Sequence, residues 1–142
     1  ISTMSLAASS MPWHTGYTIS DNPLYQAQSR FIHSLAEKGS CIIVGRTADY
    51  VLRDLPGVVS VFLCASLSDR ADRIMRRSDI ANKPKAVRMA EKIDKLRASY
   101  YNFYTDKRWG DPTSYDITFN SSAMSIERIS DVLIEYIRHR HA

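Results

Sequence analysis

Two short apolar runs most constrain what this chain can fold into. Residues 41–44 read Cys-Ile-Ile-Val, and residues 58–65 read Val-Val-Ser-Val-Phe-Leu-Cys-Ala. A strand with one face in water alternates apolar and polar side chains, whereas a continuous apolar run is typical of a strand covered on both faces, as in a parallel sheet. Both runs therefore predict buried parallel strands. Residues 115–120 predict a third strand, with Ile117 and Phe119 on one face.

Helical patterns separate these strands. Apolar residues at helical spacing, together with capping and breaking residues, predict five helices. Their predicted ranges are 24–38, 47–53, a helix that Ser66 caps, 85–104 and 125–140. Strands that alternate with helices favour an α/β fold with a parallel sheet. We expect a single domain over residues 1–142, with residues 1–23 irregular and residues 66–106 forming a lid-like helical region.

The overall composition narrows the classes of partner. The formal net charge of +4 and the pI near 9.2 favour an anionic partner. No apolar run approaches the roughly 20 residues that a membrane helix needs, and no signal segment opens the chain. Cys41 and Cys64 lie inside apolar runs, so we expect buried free thiols, a reducing cytoplasmic location and no metal site.

Gly45 and Arg46 follow the first apolar run, at the predicted carboxyl end of a strand. Ligands of open α/β sheets bind at that edge, glycine permits close approach to the backbone, and arginine grips phosphate with a planar fork. Asp49 could pair with Arg46 or contact a ligand. The alternative is an ordinary strand end with a solvated arginine.

Arginines and one aspartate on two later helices form the next candidates. Spacings of three and four place Arg70, Arg73 and Arg77 near one helix face, where a polyphosphate would relieve their repulsion. Asp94 and Arg97 share a face of the long helix, so the aspartate could accept from a ribose hydroxyl while the arginine holds phosphate. The alternatives are a solvated basic face and a surface ion pair of little energetic value.

The tyrosines near the end of the long helix, Tyr100, Tyr101 and Tyr104, favour packing over base stacking. A phosphoryl-transfer enzyme also needs a glycine-rich loop around the donor phosphates. Only Gly16 precedes Gly39, so the sequence contains no such loop.

Taken in order, these segments resemble the cytidylate kinase-like family of P-loop nucleoside monophosphate kinases. The resemblance covers residues 24–140. It is carried by residues 36–53, by residues 61–65 with the arginines that follow, by Asp94-x-x-Arg97 with Tyr100-Tyr101-x-x-Tyr104-Thr105, and by Trp109-Gly110-Asp111-Pro112. It implies a three-layer α/β/α fold of the P-loop kinase type and transfer of the γ-phosphoryl group of ATP, with Mg²⁺, to a monophosphate such as CMP or dCMP.

The resemblance also implies roles for the candidate residues. Arg46, with Gly45 and Asp49 beside it, would bind the acceptor, and Asp94 would contact its sugar. Arg70 would grip the donor nucleotide. Arg97, Arg73 and Arg77 would meet the phosphates during transfer. Thr47 stands where classical cytidylate kinases have the aspartate that reads cytosine, which leaves the acceptor base open.

The fold that the resemblance implies places the strand feeding the phosphate loop between the two apolar runs. We therefore expect a further N-terminal region that completes both the sheet and the site. Two other functions stay open: a non-catalytic nucleotide-binding or regulatory relative, and a basic nucleic-acid-binding domain. The sequence does not indicate an oligomeric state.

Overall fold

The computed structural model describes residues 22–140, which form a mixed α/β structure dominated by helices. The helices are α1 (Pro23–Glu37), α2 (Ala48–Val51), α3 (Leu67–Arg77), α4 (Lys83–Tyr104) and α5 (Ile126–Arg140), and a 3₁₀ turn spans Pro112–Ser114. The strands are β1 (Val61–Cys64) and β2 (Ile117–Asn120). The prediction that residues 1–23 are irregular falls mostly outside the described part of the chain, which begins at residue 22.

The two strands pair in parallel, as the sequence predicts. Val61 lies opposite Ile117, and the register continues to Cys64 opposite Asn120. Asp116 fixes this register at the amino ends of the strands, because its Oδ2 accepts hydrogen bonds from the Ser60 amide at 2.7 Å and the Ser60 hydroxyl at 2.8 Å. At the other end, the Ser121 amide donates to the Cys64 carbonyl at 2.8 Å.

The prediction of a strand at residues 41–44 is wrong for the described chain. This segment has no regular secondary structure in the described chain. Ile43 packs against the core, but the side chains of Ile42 and Val44 are 94% and 88% exposed. A strand requires hydrogen bonds to a neighbour, and residues 22–140 supply none beside this segment, so only one face of the run is covered.

The core near this segment lies between α1 and α2. Ile32 of α1 packs with Ala48, Val51 and Leu52, and Tyr25 and Ile43 close the cluster. Asn22 caps α1 by accepting from the amides of Leu24 and Tyr25. The packing fixes the chain that leads from residue 45 into α2, and it thereby positions the segment with the predicted acceptor-binding arginine.

The two central helices, α3 and α4, lie within residues 66–106, the range that the sequence analysis predicts as a lid-like helical region. Ser66 caps α3 by accepting from the Asp69 amide, as predicted. Asn82 caps α4, which begins at Lys83, two residues before the predicted start. Ala71 of α3 and Ala86 and Ala90 of α4 are buried, and small side chains allow close approach of the two helices.

The cysteines only partly follow the prediction. Both are free thiols, but Cys41 is exposed because its segment lacks a cover, whereas Cys64 is half-buried and its thiol donates to the Phe119 carbonyl at 3.4 Å. None of the helices among residues 22–140 has the length and hydropathy to span a membrane.

Candidate phosphate-binding site

Three consecutive residues with left-handed backbone, Gly45, Arg46 and Thr47, connect the exposed segment to α2. Their φ angles are 71°, 59° and 54°. Glycine adopts such angles readily, but each other residue there costs about 1–2 kcal/mol. Strain of this kind persists only where the surroundings enforce it, and it concentrates at functional sites. The turn leaves Arg46 exposed while Thr47 is buried.

Side chains from α1 and α4 hold the turn in place. The hydroxyls of Tyr25 and Thr47 lie 3.1 Å apart. The Gln28 amide nitrogen donates to the Arg46 carbonyl at 3.3 Å and to the Tyr100 hydroxyl at 3.0 Å. Burial raises the pKa of Tyr100, so this phenol stays neutral. Gln28 therefore ties the strained turn to the long helix.

The clearest pairing of predicted site residues joins Arg70 of α3 to Asp94 of α4. Arg70 Nη2 lies 2.7 Å from Asp94 Oδ1, and it also donates to the Ala90 carbonyl at 3.4 Å. Each side chain keeps about a quarter of its surface exposed, at 28% and 26%. Arg70 lies in the first turn of α3, the helix that follows the carboxyl end of β1 in the chain. Asp94 and Tyr100 are six residues apart, or about 9 Å along α4.

The other predicted arginines are unpaired in the described part of the chain. Arg46, Arg73, Arg77 and Arg97 are exposed, and none has a side-chain hydrogen bond or an ion pair with residues 22–140. The structure does not bring Arg73 or Arg77 to Asp94. These exposed guanidinium groups leave positive charge available for an anion.

Asp49, predicted to bind substrate, has a structural partner. The Tyr101 hydroxyl donates to Asp49 Oδ2 at 2.6 Å. Burial, followed by this hydrogen bond, raises the pKa of Tyr101 far above its usual value. Asp49 also lines a polar cavity of about 300 Å³ with Arg53, Lys107 and the Ser60–Asp116 contact. Its carboxylate thus lies beside the amino ends of the strands.

The sequence analysis missed Tyr25 and Gln28, which support the site from α1. Their spacing along α1 carried no signal of this role, since their partners lie up to 72 residues away. The tyrosines do act in packing: Tyr25 stacks on Tyr104 with centroids 4.1 Å apart, and Tyr101 and Tyr104 are buried. Within residues 22–140, no group of three His, Cys, Asp or Glu side chains could hold a metal ion.

The described residues form a mixed α/β structure in which the exposed Arg46 lies in a turn with left-handed backbone. The model of the cytidylate kinase-like family matches residues 2–123, and the chain belongs to that family. A solved structure, an uncharacterized protein from Eubacterium ventriosum ATCC 27560, is 32% identical with a TM-score of 0.79. That match covers 85% of this chain and 70% of the other. No curated protein matches the chain.

Proposed function

We propose that this protein acts as a nucleoside monophosphate kinase, which transfers the γ-phosphoryl group of ATP to a monophosphate of the CMP or dCMP type. The observation that carries the proposal is the exposed Arg46 in a strained turn, together with the exposed Arg73, Arg77 and Arg97 on the two helices that the Arg70–Asp94 ion pair joins. Phosphoryl transfer depends on positioning and on neutralising charge, which guanidinium groups do well. Family membership supports a kinase-like relative.

On the acceptor side, the strained turn would present the Arg46 guanidinium to the monophosphate, with the Gly45 backbone open to close approach. Asp94 would accept a hydrogen bond from the sugar, and Arg97, one turn along α4, would reach the phosphates. Arg70 would hold Asp94 in place until the donor nucleotide arrives. The roles of Arg73 and Arg77 require α3 to move toward the phosphates.

The donor side is less complete. Residues 22–140 contain no glycine-rich loop for the β- and γ-phosphates, and no residue cluster there would bind Mg²⁺ by itself. Magnesium would supply charge neutralisation when bound to the donor phosphates. We propose that a further strand lies between the segment at residues 41–44 and β1, because Ile42 and Val44 in that segment and Leu63 in β1 expose apolar side chains.

The test separates acceptor binding from catalysis. Titration calorimetry with CMP, dCMP, UMP and AMP should show binding of one or more monophosphates, and Arg46→Ala should weaken it about tenfold or more. Arg30→Ala is the matched control, because Arg30 is exposed on α1 away from the turn. ADP release with ATP and Mg²⁺ then tests transfer. Absence of monophosphate binding by the folded chain would contradict the proposal.

A non-catalytic nucleotide-binding relative is the second candidate, and the lack of a glycine-rich loop in the sequence favours it. Monophosphate binding without ADP release would support this function. A nucleic-acid-binding domain has less support, because Tyr101 and Tyr104 are buried and offer no stacking surface.

A further inference from the structure

The long helix α4 has an apolar stripe that nothing in the described structure covers. Met89, Ile93 and Leu96 follow the i, i+4, i+7 spacing of one helix face. Met89 is 40% exposed and Leu96 is 58% exposed. With Ile80 from the preceding loop, they line a shallow groove of about 480 Å³. At roughly 100° per residue, this face lies on the far side of α4 from Asp94.

One side of this groove is basic. Lys85, Arg88 and Lys92 follow the i, i+3, i+7 spacing and line the groove beside the apolar stripe. Their side chains make no hydrogen bond or ion pair with residues 22–140. We call the three cations and the three apolar residues of α4 the basic groove. Its charge and shape suit an amphipathic helix with an acidic edge.

The C-terminal helix α5 of the same chain has such a surface. Ile126, Ile134 and Ile137 are exposed on one face. The exposed carboxylates Glu127, Asp131 and Glu135 follow beside them at i, i+4, i+8 spacing. Neither Asp131 nor Glu135 forms an ion pair within the described chain. We call these six residues the acidic ridge.

The handedness of the two surfaces fixes how they fit. Viewed from the N-terminus at roughly 100° clockwise per residue, the cations of α4 lie counter-clockwise of its apolar stripe, and the carboxylates of α5 lie clockwise of theirs. Two parallel helices that face each other bring the clockwise side of one against the counter-clockwise side of the other. Parallel packing therefore matches every charge, whereas antiparallel packing matches none.

The two surfaces also agree in length. The apolar stripe of α4 with its leading cation spans residues 85–96, and that of α5 spans residues 126–137. Each covers about 16 Å of helix. We infer that the basic groove of one molecule binds the acidic ridge of a second copy of this chain, with α4 and α5 parallel. Two short helix faces bury little area, so the association is weak and depends on concentration.

The experiment measures self-association of the full chain by sedimentation velocity over a range of concentrations. We expect reversible association that weakens about tenfold in Lys85→Glu/Lys92→Glu and in Asp131→Lys/Glu135→Lys. Arg30→Glu/Lys38→Glu is the matched control for the groove variant, since it makes the same charge change at exposed positions on α1 and at its C-cap. This control should associate like the unaltered chain.

Charge complementation gives the sharper result. Mixing the two reversed variants places the unaltered basic groove of Asp131→Lys/Glu135→Lys against the unaltered acidic ridge of Lys85→Glu/Lys92→Glu. The mixture should therefore recover association that neither variant shows alone. Circular dichroism checks that each variant is folded. A monomer at all concentrations, or association that the reversals leave unchanged, would overturn the inference. So would a monomer that sediments with anionic lipid vesicles, because the groove would then bind a membrane surface.

Discussion

Arg70 and Arg97 make a paired test of structural and functional arginines. In Arg70→Ala, Asp94 loses a partner at 2.7 Å while keeping about a quarter of its surface exposed. Exposed pairs contribute about 0–1 kcal/mol, and breaking a buried pair costs about 3–5 kcal/mol. Because this pair keeps only about a quarter of its surface exposed, it lies between those limits, and we expect a loss of about 1–2 kcal/mol in the free energy of unfolding. The midpoint of urea unfolding should fall by roughly 0.5–1 M.

Arg97→Ala should behave in the opposite way. Arg97 is exposed and has no side-chain partner among residues 22–140, so the free energy of unfolding should stay within about 0.5 kcal/mol. A hydrogen bond from arginine to phosphate contributes about 1.5–3 kcal/mol, so kcat/KM should fall about 10- to 100-fold.

The two variants are compared by urea unfolding and by kinetics under the same buffer. If Arg97→Ala lost as much stability as Arg70→Ala, or if kcat/KM stayed unchanged, then Arg97 would be a structural residue and the reasoning would be wrong.

Three further perturbations test other contacts. Burial works to raise the pKa of Asp116, but hydrogen bonds from Ser60 and the Arg140 ion pair outweigh it and lower the pKa. Because the pKa of Asp116 is lower in the folded state than in the unfolded state, its carboxylate stabilises the fold above about pH 4. This stabilisation is lost as the pH falls through the folded-state pKa. The stability difference between the unaltered chain and Asp116→Asn should thus shrink on acidification; a constant difference would contradict this. Arg46→Gly relieves left-handed strain, so thermal unfolding should show stability unchanged or raised by up to about 1 kcal/mol while monophosphate binding weakens. Tyr101→Phe removes the 2.6 Å hydrogen bond to Asp49 and should cost about 1–2 kcal/mol, measured by urea unfolding; no loss would mean that Asp49 has another partner.

Local features of the fold could be predicted from the sequence. Ser66 is an N-cap followed by an acidic first turn, and Gly39 follows α1, so α1 and α3 lie where the pattern places them. Capping involves atoms only two or three residues apart, which is why it can be read from sequence. The parallel pairing of β1 with β2 also followed from the helices between them.

The segment at residues 41–44 could not be predicted in the same way. Its composition is that of a buried strand, yet a strand exists only where another strand supplies hydrogen bonds. The described chain covers Ile43 and leaves Ile42 and Val44 exposed. Composition indicates how a segment would pack, but not whether a neighbour is present to pack against.

In the candidate site, too, residue types could be predicted from the sequence, but contacts between distant segments could not. The arginines are predicted from residue type, since guanidinium groups suit phosphate wherever they lie, and their roles stay predictions. The contacts that position Arg46 were not found, because Gln28 reaches Tyr100 across 72 residues and Tyr25 reaches Thr47 across 22. Asp49 shows that residue type alone can also mislead. Its carboxylate is suited to ligand binding, but it already accepts a hydrogen bond from the buried Tyr101.

The strained turn explains why the site depends on the fold around it. Arg46 and Thr47 would relax to ordinary backbone angles in an isolated segment, because left-handed angles disfavour residues with a side chain. Tertiary hydrogen bonds from α1, through Tyr25 and Gln28, oppose that relaxation. Since Gln28 also binds Tyr100, any displacement of α4 is transmitted to the turn that presents Arg46. The position of the guanidinium and the packing of α1 against α4 are therefore coupled, and movement of the helical region would carry the proposed acceptor site with it.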